Sequence, residues 1–345
     1  MVQLDVPVNF VIPDKLLWDE IKNDQLDLIT DEVLSQRCNH GLLNWIAIPY
    51  VYLRRRGLDV TYATKPIPNA INLYKANALG IKERALDVFL VAARADGHDP
   101  KIANYVIEQN NLNAGKETVS WIPHPPHPGL IKRDISRGTR LERLGYMGSV
   151  INLYKGFKSD EFLGELDAMG VDLNINLRNP TDSDKLTMHD YSKTDAVLAV
   201  RNLTNLDIVT KPASKLQNAW MAGVPAILGP EPGYRELRKS ELDYIEINSP
   251  EDAIAAIRRL KDNPDLYRQM IENGLERGKD FTVDKYVGRL LDALNGPIAD
   301  AFRRWQSRGA PYRAIRLVRT AFEERASRNE AILNRDRGER PFGPN

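Results

Sequence analysis

Lys211, Ser214 and Lys215 open a stretch that reads KPASKLQNAWMAG, and these three residue types at this spacing suit a bound anion. Two ammonium groups and a hydroxyl gather where a helix is expected to begin. The leading N–H groups of a helix lack intrahelical partners and sit at the positive end of its dipole, so they add to the attraction for a phosphate. Lysines near a helix start are about as often simply solvated. Their position moves the reading toward a ligand. The apolar run AVLAV in Asp195–Val200 reads as a buried parallel strand ending at Arg201 and Asn202. Open α/β sheets take their ligands at the carboxyl ends of such strands.

The elements that position these groups follow from local chemistry. Pro212 suits the first turn of a helix, where its missing N–H costs nothing. Leu216, Ala219, Trp220 and Ala222 fall mostly on one side of that helix, and Gly223 stops it. Val224–Leu228 is the next expected strand, broken by Gly229, Pro230, Pro232 and Gly233. Upstream, Leu144–Met147 reads as a strand followed by Gly148. Ser159 caps a helix with Asp160 and Glu161 in its first turn, and Gly170 ends it. Val171–Leu177 is expected as a strand with Arg178 and Asn179 at its end. His189 and Asp190, in TMHDYSK, are candidates to face a ligand, or simply to cap a helix. Downstream, Asp243–Asn248 is a strand, and Ser249, Asn263 and Thr282 start three helices.

The run from Thr210 to Glu236 resembles the donor segment of GT-B glycosyltransferases, two-Rossmann-domain enzymes that use nucleotide-sugars. AWMAGVPAIL and PGYRE carry the likeness, with Gly223, Pro225, Gly233 and Glu236 matching. The longer form HDYS…DAVLAVRN…KPASKLQNAWMAGVPAILGPE resembles a bacterial subgroup of these transferases. Two glutamates usual in the pattern are replaced by Thr210 and Asn218. GYMGSVINLYKGF resembles the start of the donor domain, with Lys155 at the phosphate lysine and Ser149 where an arginine is usual. The resemblance implies two doubly wound α/β domains facing a cleft, and transfer of a sugar from a nucleotide-diphosphate donor to a hydroxyl of a glycan or lipid-linked acceptor. It implies that Lys211, Ser214 and Lys215, with Arg201, Gly148 and Lys155, hold the diphosphate. Asn218, Arg178, His189 and Asp190 then face ribose and base, and Gly233, Glu236 and Glu231 the donor sugar. Members of this fold typically stabilise the leaving group with dipoles and side chains rather than a metal, so no cofactor is expected beyond the donor itself.

With 345 residues, 42% hydrophobic and 28% charged, the chain has room for two ordinary cores. No apolar run approaches the roughly 18–20 residues of a membrane span. The first residues lack the basic start and apolar core of a secretory leader. Cys38, the single cysteine, excludes an internal disulfide and fits the cytosol. Net charge is +1, yet Ala301–Asn345 holds eleven arginines against five acids. Such a basic tail suits an anionic partner such as the inner face of a membrane, or its arginines pair with the body. No nucleic-acid partner is expected.

The N-terminal part reads as strand, helix, strand. Val8–Ile12 is the first strand and residues 14–39 an acidic insertion. A helix follows from His40–Gly41 through Leu53, with a kink expected at Pro49, and it stops at Arg54–Gly57. Asp59–Ala63, Ala70–Leu73, Asp87–Ala93 and Thr118–Ile122 are further strands, and a helix is expected from Asp99–Pro100 through Asn110. His40, at the front of the first long helix, is the candidate acceptor-side base, or a structural cap. The proline-rich Ile122–Arg140 marks the best boundary. It keeps His124 and His127 off a helix face, and with no cysteine or acidic cluster beside them no metal site is expected. Domains are therefore expected at 1–138 and 139–296. A helical, arginine-rich extension at 297–345 is expected to cross back to the first domain, with Trp305 as anchor. Two other readings stay open: a catalytically silent sugar-nucleotide-binding scaffold, favoured by the absent glutamates, and a nucleotide-sugar epimerase of the same fold.

Overall fold

The structure, a computed structural model, describes residues 3–37, 41–148, 152–175 and 189–342. His40, Arg178, Cys38 and Ser149 lie outside the described residues. The chain forms two compact units. The first comprises Met1–Pro125, Thr210–Pro212 and Val283–Asn334, and the second Pro126–Val209, Ala213–Thr282 and Arg335–Asn345. The divisions at 125/126 and 282/283 compare with the 138/139 and 296/297 expected from composition. The reason is packing: Tyr286, Leu290 and Leu294 belong to the first unit's core.

The first unit holds a six-stranded sheet with strands β1 (Val8–Val11), β2 (Thr61–Ala63), β3 (Ile71–Lys75), β4 (Phe89–Ala93), β5 (Tyr105–Glu108) and β6 (Val119–Trp121). Their order is β2-β1-β3-β4-β5-β6, and each pairing is parallel. Both β3 and β4 are almost wholly buried, as the near-continuous apolar runs require. The helix expected over residues 99–110 is absent. Tyr105 and Ile107 alternate inward and Tyr105–Glu108 forms β5, so the two-residue period decides against a helix. Pro49 stands at the start of a helix, in its first turn. Leu43–Ala47 winds as a π-type turn that leads directly into the Ile48–Arg55 helix, a local widening that accommodates the missing proline N–H. Phe89 meets Phe302 and Trp305 edge-on at 5.3 and 5.6 Å, so Trp305 is fixed within the core.

The second unit holds β7 (Arg143–Tyr146), β8 (Asp172–Ile175), β9 (Ala196–Ala199), β10 (Ala226–Leu228) and β11 (Ile245–Glu246), in the order β11-β10-β9-β7-β8. All are parallel. Strand order reverses between β7 and β9, a topological switch point. The expected helices are present at Asp160–Ala168, Pro250–Asp262 and Pro264–Gly278, each capped by the expected Ser159, Ser249 or Asn263. A short helix at Asn205–Ile208, capped by Thr204, was not expected. Among the described residues no helix is long and apolar enough to cross a membrane.

Candidate functional site

The candidate site of the second unit is built at the carboxyl ends of β7, β9 and β10, around the switch point. β7 delivers Met147 and Gly148, β9 delivers Arg201 and Asn202, and β10 delivers Gly229 and Glu231. The second helix after β9 runs Ser214–Ala222, with Ala213 as its N-cap and no side chain closing its first turn. Pro212 therefore stands two residues before the helix rather than in its first turn. Ala213 is buried and takes the cap. Gly223 ends the helix at φ +70°, the left-handed conformation that glycine adopts without strain.

Gly148 and Lys215 meet here. A Cβ built on Gly148 would lie 3.1 Å from Cε of Lys215 and 3.2 Å from the Tyr146 ring. The glycine thus leaves room for a lysine stem to pass over the end of β7. Ser214 and Lys215 are both half-buried at the head of the helix. A cation, a hydroxyl and leading helix amides share one strand-end corner, an arrangement able to bind a phosphate group.

Lys211 belongs to the first unit. Asn110 donates to its carbonyl at 2.9 Å and Gln109 to the Thr210 carbonyl at 2.6 Å, which fixes Thr210–Pro212 among the residues of the first unit. There its charge acts on Asp96. Desolvation pushes that carboxyl up, while Lys211, Lys75 and His124 pull it below the ordinary carboxylate value. Asp96 follows Ala95, a non-glycine residue at φ +52° just past β4, and Lys75 closes β3. This group was not singled out in the sequence, where the four residues are far apart.

Arg201 and Glu231, assigned to phosphate and donor sugar, form a buried ion pair at 2.6 Å. The guanidinium also lies 5.9 Å from the centre of the Tyr234 ring. The pair ties the end of β9 to the end of β10. Glu231 stands at the N-cap position of the Pro232–Arg235 helix without closing it with its side chain, so capping is not its role. Gly233 lies within that helix and Glu236 ends it, half-buried. Asn218 is half-buried beside the hydroxyl of Tyr191, whose pKa burial drives far up.

His189 stacks on His127 with ring centroids 5.4 Å apart. Asp190 accepts from Ser192 N at 2.9 Å and pairs with Ile131 in an isolated parallel bridge, which gives its carboxylate a turn-forming role. His124 and His127 each bond through Nδ1 to the carbonyl of the following proline. Lys155 belongs to the short Lys155–Lys158 helix and lines a groove of about 1050 Å³ with Tyr154, Ser249, Arg258 and Phe342. The structure thus gathers Gly148, Ser214 and Lys215, and sets Lys155 in that groove. Phe342 stacks on Tyr154 at 5.7 Å and lies 3.4 Å from where a Cβ on Gly229 would stand, while Arg340 donates to the Asn202 carbonyl. The chain's last described residues thereby line the strand-end face, which their sequence did not signal.

Behind this face Asp195, wholly buried at the foot of β9, accepts from Arg133 at 2.8 Å, Arg137 at 2.7 Å and the amides of Glu142 and Arg143 at 3.0 Å. Burial raises its pKa, and the two guanidinium groups and amides more than offset that, leaving it below the ordinary value. The basic end of the proline-rich strap is thus used inside the unit.

Two parallel sheets, each wound with helices into its own α/β unit, are the architecture of the GT-B fold. Comparison agrees with it: residues 170–292 match the family described as Glycosyl transferase-like. The crystal structure of AviGT4, a glycosyltransferase involved in avilamycin A biosynthesis, is similar at a TM-score of 0.50 and 14% identity, covering 84% of this chain and 98% of that one. The Anabaena Alr3699/HepE structure in complex with UDP and glucose aligns at a TM-score of 0.48 and 11% identity, over 87% of this chain and 100% of that one. A glycosyltransferase from Rickettsia africae ESF-5 aligns at 0.48 and 9%, over 85% and 98%. No curated protein matches the chain in sequence.

Proposed function

We propose that this protein transfers a sugar, as a hexosyltransferase does, from a nucleotide-diphosphate sugar to a hydroxyl of a glycan or lipid-linked acceptor, without a metal. The observation that carries the reading is the corner formed by Gly148, Ser214 and Lys215 at the switch point of the second unit. In the reaction the bond between the anomeric carbon and the diphosphate oxygen breaks, and the acceptor oxygen bonds to that carbon. Negative charge grows on the departing diphosphate, where preorganised donors and cations act most strongly. Lys215, the Ser214 hydroxyl and the leading amides supply them, and Lys211 and Lys155 are assigned to the same task. Arg201 serves by holding Glu231, while Asn218 is assigned to the ribose and Glu236 with the Gly233 backbone to the sugar. His40 takes the acceptor proton if the anomeric centre inverts.

The test is a thermal-shift panel of UDP-, GDP-, dTDP- and CMP-sugars, with and without EDTA, followed by donor turnover. One donor should stabilise the protein by about 2.7 kcal/mol at a hundredfold excess over its dissociation constant, with EDTA making no difference. Absence of stabilisation by every donor sinks the reading. Thr210 and Asn218, in place of the pattern's two glutamates, favour a second one, a binding scaffold. Donor binding with no turnover across acceptors would select it.

A further inference from the structure

Of the arginines that follow residue 300, Arg313, Arg316 and Arg328 donate to carbonyls of the first unit, those of Leu86, Ala103 and Leu79. Arg340 does the same within the second unit, and there the carbonyl belongs to the strand-end face. It is that of Asn202, in the turn between β9 and the Asn205–Ile208 helix. One residue earlier, the Glu339 carbonyl accepts from the Asn205 amide at 2.8 Å. On its other side the turn is held by the Asn202 amide, which donates to the Asn152 carbonyl at 3.0 Å. An irregular turn takes its geometry from such bonds, because its amides and carbonyls have no ladder to pair with.

Both ends of the segment 338–342 are fixed. Gly338 stands at φ +105°, a conformation that glycine adopts without strain, and a Cβ built there would lie 2.3 Å from Oδ1 of Asn205. Phe342 is buried, stacks on Tyr154 and meets Phe157 edge-on at 5.4 Å. Arg340 lies midway between these anchors, half-buried.

We propose that this segment is a clasp that sets the position of the donor sugar, with Arg340 as a positioning residue. The inference rests on the transfer reading above. Asn202 follows Arg201, whose guanidinium holds Glu231. Glu231 is in turn the N-cap of the Pro232–Arg235 helix, where Gly233 and Glu236 stand. Arg340 thus acts through the turn on the residues assigned to the sugar. This path does not pass through Gly148, Ser214 or Lys215, so the grip on the phosphates is separate from it. A reacting group held this way loses its alignment when the supporting shell loosens.

The probes are the sugar-nucleotide selected by the panel above and the same nucleotide without its sugar. Arg340→Ala should lower kcat/KM for the sugar-nucleotide by about ten- to a hundredfold, as expected of a reacting group displaced by up to about 1 Å. Its affinity for the bare nucleotide should match that of the wild type. Arg340→Lys, which keeps a donor for the Asn202 carbonyl, should recover most of the loss. Gly338→Ala gives a second route, since a side chain at φ +105° should lift Glu339 from the turn. Hydrogen exchange of the Asn205 amide, followed in the protein without nucleotide, should then quicken by at least about tenfold. Wild-type kcat/KM in Arg340→Ala overturns the inference. So does a parallel loss of affinity for the bare nucleotide, which marks a general loosening of the unit, or unchanged Asn205 exchange in Gly338→Ala. A wild type that binds no sugar-nucleotide sinks the transfer reading itself, and the inference falls with it.

Discussion

Lys215 passes over Gly148 because that position has no side chain, and the contact gives a direct test of the corner. Lys215→Ala is expected to lower donor turnover by about 10²–10³ while leaving the melting temperature within a degree or so, because the lysine is half-buried and its loss leaves no core cavity. Turnover within a factor of about two of wild type would remove the lysine from the chemistry. Asp195 is the opposite kind of residue, wholly buried and satisfied by two arginines and two amides. Asp195→Asn should cost about 3–5 kcal/mol in urea unfolding, the penalty of leaving buried guanidinium charge unpaired. Its folded pKa lies below the unfolded one, so the carboxylate's contribution is present above the unfolded value of about 4 and is lost as pH falls through the lower folded value. Unfolding curves between about pH 5 and pH 2 should show that loss in the wild type and a flatter profile in Asp195→Asn. Lys215 and Gly148 were legible in the sequence because glycine turns and helix starts have local signatures. Asp195 was not: it read only as the start of a strand, and its partners lie more than fifty residues away on an irregular segment.

At the level of elements, the strands were the most legible part of the chain, since a run such as FLVAA can be buried only by a sheet covered on both faces. Residues 99–110 show where that reading fails. Asp99–Pro100 carries a helix-start signal, and the two-residue alternation of Tyr105 and Ile107 prevails because β4 and β6 pair on either side. The Ser214–Ala222 helix depends on its C-terminal stop as much as on its start. Gly223→Ala must hold a side chain at φ +70° with a leucine side chain, that of Leu275, already at contact distance. The expected loss is about 1–2 kcal/mol, read from denaturant midpoints. A loss near zero would mean that the helix end rearranges at little cost, and its geometry would then not be what fixes the strand-end corner. The Arg201–Glu231 pair was also partly legible. Both residues were marked as ligand-facing, but their bond to each other depends on β9 and β10 being neighbours, which one-dimensional spacing does not show.

At the level of the molecule, the doubly wound order of both sheets followed from the alternation of strand and helix, whereas the membership of the C-terminal segments did not. Tyr286, Leu290, Ile298, Phe302 and Trp305 complete a core whose strands all lie before residue 122. A fragment ending at Pro125 should therefore lack a cooperative unfolding transition, and adding a peptide spanning residues 283–334 should restore one. Cooperative melting of the fragment alone would show that the late helices are dispensable to that core. The same arrangement bears on how the protein is made. During translation the six leading strands leave the ribosome well before the helices that cover them, and at about 5–20 residues per second the gap lasts roughly ten to thirty seconds. Over that interval Phe89 of β4 lacks the Phe302 and Trp305 rings that cover it, so yield in the cell should depend on whatever chaperone shelters a half-finished chain.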